Sequence, residues 1–208
     1  MATVVQVNVG RAKPMPGKSG VSSIDKRAVD GRVPVRALGL AGDSQSDTQN
    51  HGGVDQAVYA YALEDLDDWA GVLGRDLRPG QFGENLSTRG VDVTGALIGE
   101  TWRIGTTLLQ VSRPRFPCVV FQNWLGEPHW VKRFTDGGRP GAYLRVLEEG
   151  ELGAGDDIVI ESRPDHDVTI GLVFRAKTTD RSLIPRMLAA HDLPKADYQF
   201  AVRHSEDA

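Results

Sequence analysis

Short apolar stretches, each cut off by glycine or proline before it can lengthen, constrain this chain to a strand-rich fold. TVVQVNV (3–9), RVPVRAL (32–38), QAVYAYA (56–62), ETWRIG (100–105), TLLQVS (107–112), AYLRVL (142–147) and DIVIES (157–162) are rich in Val, Ile, Leu and Tyr and are bounded by turn residues. IGETWRIGTTLLQVS predicts a hairpin turning at Gly105–Thr106, and GELGAGDDIVIE predicts a tight turn feeding another strand. Strands without regular intervening helices favour a barrel or sandwich over a doubly wound sheet.

Helical signals are fewer. LEDLDDWAGVL (63–73) places Leu63, Leu66, Trp69 and Leu73 on one face, with carboxylates in the first turns where the helix dipole favours them. Residues 118–134 read as a short helix, a turn around Gly126–Pro128 and a second helix ending near Phe134. Toward the C-terminus, Leu183, Ile184, Met187, Leu188 and His191 recur at helical spacing, with Ser182 as the expected cap ahead of Pro185. Pro194 opens another short helical stretch. The expected organisation is a mainly β domain over residues 1–165 and a short helical segment over 166–208.

Composition narrows the function classes. No apolar run approaches the roughly 18 residues that span a bilayer, and MATVVQVNVG lacks the features of a secretory signal. The cytoplasm is the expected compartment. A net charge of −4 gives no reason to expect nucleic acid or membrane as a partner. The charge is nevertheless uneven: residues 1–42 hold Arg11, Lys13, Lys18, Lys26, Arg27, Arg32 and Arg36 against Asp25 and Asp30. Such a segment suits a small anion, or is simply a solvated face. The one cysteine, Cys118, excludes an internal disulfide and any multi-cysteine zinc site.

Cys118 follows an expected strand in VSRPRFPCVVF. Pro114 and Pro117 stiffen its approach, and Arg113 and Arg115 lie close enough in sequence to favour a thiolate. It reads either as a soft ligand or nucleophile, or as an inert buried thiol. In GDSQSDTQNHGGVDQAVYAY, His51 and Asp55 flank a Gly-rich turn and read as an acid–base pair or a metal pair. QFGENLSTRG offers Glu84, which titrates if buried, and Asn85, both donor and acceptor. GGRPGAYLRVL presents Arg139, Tyr143 and Arg145, and PGKSG presents Lys18 and Ser19 without Walker spacing. Taken singly, each of these segments reads as readily as turn or surface chemistry.

Their order is more specific. KSG, GD, HGG-D-AV-Y, FGENL, IGE-W-RIG, LLQVSRPRFPC and GRPGAYLRVL-EG together resemble the MOSC family, the C-terminal domain of molybdenum cofactor sulfurases, in its bacterial YiiM-like branch. The likeness runs from about residue 3 to 163, and the ending resembles an abbreviated form of the three-helix domain that follows MOSC in that branch. The resemblance implies a MOSC-type β-barrel with a few peripheral helices. It implies a molybdenum–pterin cofactor (Moco) whose metal takes Cys118 as protein ligand. Lys18 and Ser19 match a phosphate-contacting segment of related proteins, and Asn85 matches a cofactor-contacting Asn. Arg115, Arg139 and Tyr143 join them as cofactor-pocket candidates.

The implied chemistry is reduction of N-hydroxylated compounds such as hydroxylaminopurines and amidoximes. His51 or Glu84 would supply protons, with Asp55 nearby. Electrons would come from a separate flavin or iron–sulfur donor, since this chain has no cysteine set for a cluster and no dinucleotide fingerprint. The protein is expected to act as a monomer or homodimer. Two alternatives stand beside this reading: a sulfur carrier holding a persulfide on Cys118, and a non-catalytic cofactor-binding module.

Overall fold

A computed structural model describes residues 1–15, 20–44 and 52–205. The first strands are β1 (Thr3–Gly10), β2 (Lys13–Pro14), β3 (Val21–Ser22), β4 (Lys26–Ala28), β5 (Val33–Arg36) and β6 (Gly39–Leu40). A single 3₁₀ turn, Val54–Gln56, leads into β7 (Val58–Ala62) and α1 (Leu63–Leu73). Next come β8 (Leu86–Arg89), β9 (Thr101–Ile104), β10 (Thr107–Pro114), α2 (Val119–Leu125) and α3 (Trp130–Gly137). The chain continues through β11 (Ala142–Glu148), β12 (Gly150–Leu152), β13 (Ile158–Ser162) and α4 (Ile170–Thr178), then a 3₁₀ segment Arg181–Ala189 and α5 (Lys195–His204).

The fold is mixed and sheet-dominated, with several helices. Its main sheet has eight strands in the order β13-β9-β10-β11-β7-β8-β1-β4. All neighbours run antiparallel except β7 and β8. Opposite ends of the sheet approach each other. Thr3 forms an isolated bridge to Asp157, and the Val4 amide donates to the Asp156 carbonyl at 2.9 Å. No strand ladder closes the ring among the described residues, so the expected barrel is present here only as a sheet whose ends are tied by a few backbone bonds.

Strand β7 shows why the sheet is covered on both faces. Every residue of VYAYA is buried. Alternate side chains point to opposite faces of a strand. Val58, Ala60 and Ala62 therefore join the aliphatic core, while Tyr59 and Tyr61 join a second, largely aromatic cluster. That cluster gathers Trp69 of α1, Phe121 of α2, Trp130 and Phe134 of α3, and Phe82. Trp69 and Trp130 meet edge-on with centroids 4.8 Å apart, an arrangement aromatic quadrupoles favour. The predicted helix at 63–73 and the helix pair predicted within 118–134 are present, the second running on to Gly137, and these helices form this outer layer.

The C-terminal region packs onto the same aliphatic core through Ile170, Val173, Ile184, Met187 and Ala201. Two details differ from expectation. Residues 181–189 form a 3₁₀ segment, and Asp180, not Ser182, caps it by accepting from the Ser182 amide at 3.2 Å. Pro185 has no amide proton and so cannot sustain an α-helical ladder. VTIGLVFRAK yields α4 from Ile170, capped by the Thr169 hydroxyl, which accepts from Leu172 N at 3.0 Å. Its run of β-branched residues hides that helix from propensity reasoning.

Candidate functional site

Cys118 stands at the junction of β10 and α2, as the residue that caps the helix in an extended conformation (φ −135°, ψ 169°). Pro117 restricts the residue before it and so helps hold the approach straight. The thiol is half-buried and lines an open cavity of about 120 Å³. Strand ends and the loops beside them, not helices, form most of the wall: Lys26 comes from β4, Tyr59 from β7, Tyr143 from β11, and Asn85 precedes β8.

Arg115 supplies the buried charge nearest this thiol in sequence. Its side chain is largely buried, and Nη1 donates to the Phe82 carbonyl at 2.7 Å. The guanidinium lies over the Phe121 ring at 3.9 Å and near the Tyr59 ring at 5.3 Å. Burial works against the guanidinium charge, but Tyr59, Tyr143 and Cys118 together hold its pKa raised. Among the described residues no carboxylate forms an ion pair with it. A buried cation in that position favours a thiolate or another anion beside it. Burial pushes the Tyr59 phenol well above its ordinary value and raises that of Tyr143.

A second cation lines the cavity. Lys26 Nζ donates to both carboxylate oxygens of Asp43, at 2.6 and 2.5 Å, and both side chains are nearly inaccessible. Burial lowers the Lys26 pKa, with Asp43 pulling against that shift. Asp43 also accepts from the Gly10 amide at 2.7 Å and from Asn85 Nδ2 at 2.8 Å. Asn85 in turn donates to the Asn8 carbonyl at 3.2 Å, and its side-chain oxygen accepts from the Tyr59 amide at 3.1 Å. One network thus binds β1, β4, β7 and the start of β8 around the pocket.

Of the residues singled out in the sequence, Cys118, Asn85, Arg115 and Tyr143 converge on this cavity. Lys18, Ser19 and His51 lie outside the described residues. Three others do not line it. Glu84 is fully buried, and its carboxylate accepts from the Gly80 amide, from the Phe82 amide at 3.1 Å and from the Ser87 hydroxyl at 2.9 Å. It braces the loop whose neighbour Asn85 reaches the pocket, a placement that does not suit a proton donor to a ligand there. Asp55 pairs with Arg145, which also donates to Gln110 at 2.9 Å. Arg139 pairs with Asp68 and covers the Trp69 ring at 5.0 Å.

Sequence reasoning missed the Lys26–Asp43 pair. Lys26 appears there only as part of a basic segment, and Asp43 only within the GD motif. They lie 17 positions apart and meet at Gly10, which pairs with Lys26 across β1 and β4 and donates its amide to Asp43. Among the described residues no group of three or more His, Cys, Asp or Glu side chains could hold a metal ion. Cys118 is therefore a single soft donor and belongs to no multi-ligand protein site within them. No helix among the described residues is long and apolar enough to cross a membrane.

Comparison with known proteins places these features in context. A family model described as the MOSC domain matches residues 47–159. The uncharacterized protein YflK of Bacillus subtilis is 33% identical over 180 residues, covering 86% of this chain and 81% of YflK. Protein YiiM of Escherichia coli is 33% identical over 170 residues, 80% of this chain and 75% of YiiM. A Gibberella moniliformis protein named Reductase is 34% identical over 189 residues; the match spans 87% of this chain but only 34% of that longer protein. The crystal structure of YiiM from Geobacillus stearothermophilus superposes with a TM-score of 0.81 at 26% identity, over 98% of each chain.

Proposed function

Because the chain belongs to the MOSC domain family, in its YiiM-like branch, we propose that it is a molybdenum-cofactor-dependent reductase of N-hydroxylated compounds. The observation that carries this reading is the placement of the chain's one thiol on an open cavity that also receives two buried cations, Lys26 and Arg115. The donor chemistry fits the cofactor: a thiolate is a soft ligand suited to a metal already held by sulfur, and the cations suit its phosphate. The reductase name of the fungal relative supports the same class of chemistry.

In this reading Cys118 Sγ would hold the metal, and Arg115 keeps positive charge beside that sulfur. Lys18 and Ser19 would contact the phosphate, with Lys26 as a further cation. Asn85 and Tyr143 shape the wall. When bound, the cofactor supplies the two-electron chemistry that removes oxygen from an N–OH group. The overall change consumes two electrons and two protons and releases the amine-type product and water. A separate flavin or iron–sulfur protein delivers the electrons. His51 is the proposed proton donor.

The test is expression in a molybdate-replete host, with metal analysis and an assay of 6-hydroxylaminopurine reduction using an artificial low-potential donor. The wild type should carry molybdenum and turn over, and Cys118→Ser should lose both. Equal metal and equal activity in the two proteins would end the proposal. Labile sulfane sulfur without stoichiometric metal would replace it with the sulfur-carrier reading.

A further inference from the structure

The segment leading into Cys118 is held from outside the cavity, by the C-terminal helices. Asp197 of α5 is 1% exposed and is met by two cations from different elements. Arg113, at the end of β10, places Nε 3.1 Å from Oδ2 and donates from Nη2 to Oδ1 at 3.3 Å. Lys177 of α4 donates to Oδ1 as well. A carboxylate this deeply buried is tolerated only because it is paired, and the pairing fixes all three elements relative to one another.

Phe116 lies within the same cluster, two residues before the thiol. Its ring stacks on Phe174 of α4, with centroids 5.5 Å apart and planes inclined by 21°. The Lys177 ammonium sits 5.2 Å from the Phe116 centroid and 4.8 Å from that of Phe200 in α5. The Arg113 guanidinium lies 6.0 Å from the Phe116 ring. One ring is thus gripped by β10, α4 and the cation that Asp197 orients. Pro117 is all that separates it from Cys118, and a proline passes a fixed backbone direction onward with little slack.

We infer that Asp197 is a positioning residue for Cys118: through Lys177, Arg113 and Phe116, the C-terminal helices set where the thiol stands on the cavity wall. This inference rests on reading Cys118 as the working thiol, but not on the identity of any cofactor. It gives the helical tail a task at the site although, among the described residues, none of its residues lines the cavity. Asp197 has no contact with the cavity, so its effect passes entirely through the clamp.

The chain's single cysteine makes the test site-specific. Alkylation of Cys118 by iodoacetamide is timed on the full-length, metal-free protein well below its melting temperature. Three variants are compared with wild type: Asp197→Asn, Lys177→Met, and Val33→Ala, a core truncation in β5 outside the cavity lining. Losing one charge-assisted contact should loosen the segment enough to speed alkylation by about fivefold in Asp197→Asn and Lys177→Met. Val33→Ala should lose comparable thermal stability yet react at the wild-type rate. Lys177→Met keeps the apolar stem over Phe116, so it reports even if Asp197→Asn does not fold. Wild-type rates in folded Lys177→Met, or equal acceleration in Val33→Ala, would overturn the positioning role. A wild type that takes up no molybdenum while the variants behave as expected would refute the proposed enzyme and leave this inference standing.

Discussion

Replacing Lys26 by Met removes the cation that bridges both oxygens of Asp43 while keeping a flexible apolar stem of similar length. Asp43 stays buried, supported by the Gly10 amide at 2.7 Å and Asn85 at 2.8 Å. Removing one partner of a buried ion pair costs roughly 3–5 kcal/mol. The two surviving donors place Lys26→Met near the lower end, about 3 kcal/mol. Asp43→Asn should cost about the same, because it strands the Lys26 ammonium in a site where burial already lowers its pKa. The double variant strands neither charge. It should cost about 2–3 kcal/mol less than the sum of the singles. Urea denaturation of all four proteins measures this directly; with a slope of about 2 kcal/mol/M, each single variant shifts the midpoint by roughly 1.5 M. Additivity to within about 0.5 kcal/mol would show that the pair is not energetically coupled and would refute the reasoning.

Two further predictions concern other carboxylates. Glu84→Gln places an amide N–H₂ among the Gly80 and Phe82 amides and the Ser87 hydroxyl, so at least one donor loses its acceptor. A loss of about 1–3 kcal/mol is expected by chemical denaturation, and an unchanged midpoint would contradict the bracing role. In Asp65, burial raises the pKa to about 6, with Arg139 pulling it down. A raised folded-state pKa contributes stability below the ordinary value of 3.8 that is lost as pH rises through about 6. Asp65→Asn should therefore gain on wild type by about 1–2 kcal/mol between pH 4 and pH 7, after allowance for partial exposure. The same difference between the two proteins at both pH values would count against it.

Strand positions were legible because burial and alternation leave a local trace. AYLRVL, TLLQVS and QAVYAYA carry the β-branched and aromatic residues that pack on a pleated surface, and they became β11, β10 and β7. QAVYAYA even carries its two-sided burial in its composition, with small residues alternating with tyrosines. Cys118 was identifiable as a candidate since its neighbours, two prolines and two arginines, are local in sequence. Glu84, Asp55 and Arg139 were placed in the pocket on motif alone, and motif does not reveal which face of a loop a side chain takes. Glu84 follows a tight turn at Gly83 (φ 80°), and its carboxylate folds back onto that turn's own amides.

The sequence by itself determined what is short-range: where strands and helices lie, which thiol is available, and which family the ordered motifs resemble. Tertiary structure alone decided the long-range pairings. Lys26 finds Asp43 at Gly10, where the β1–β4 pairing and the loop after β6 meet, and Asp197 finds Arg113 84 positions away through the packing of α5. The physical reason is that a buried charge must be paired, while the partner's address depends on how the whole sheet and its helices assemble. Side-chain chemistry states the need, and only the assembled fold supplies the counterpart.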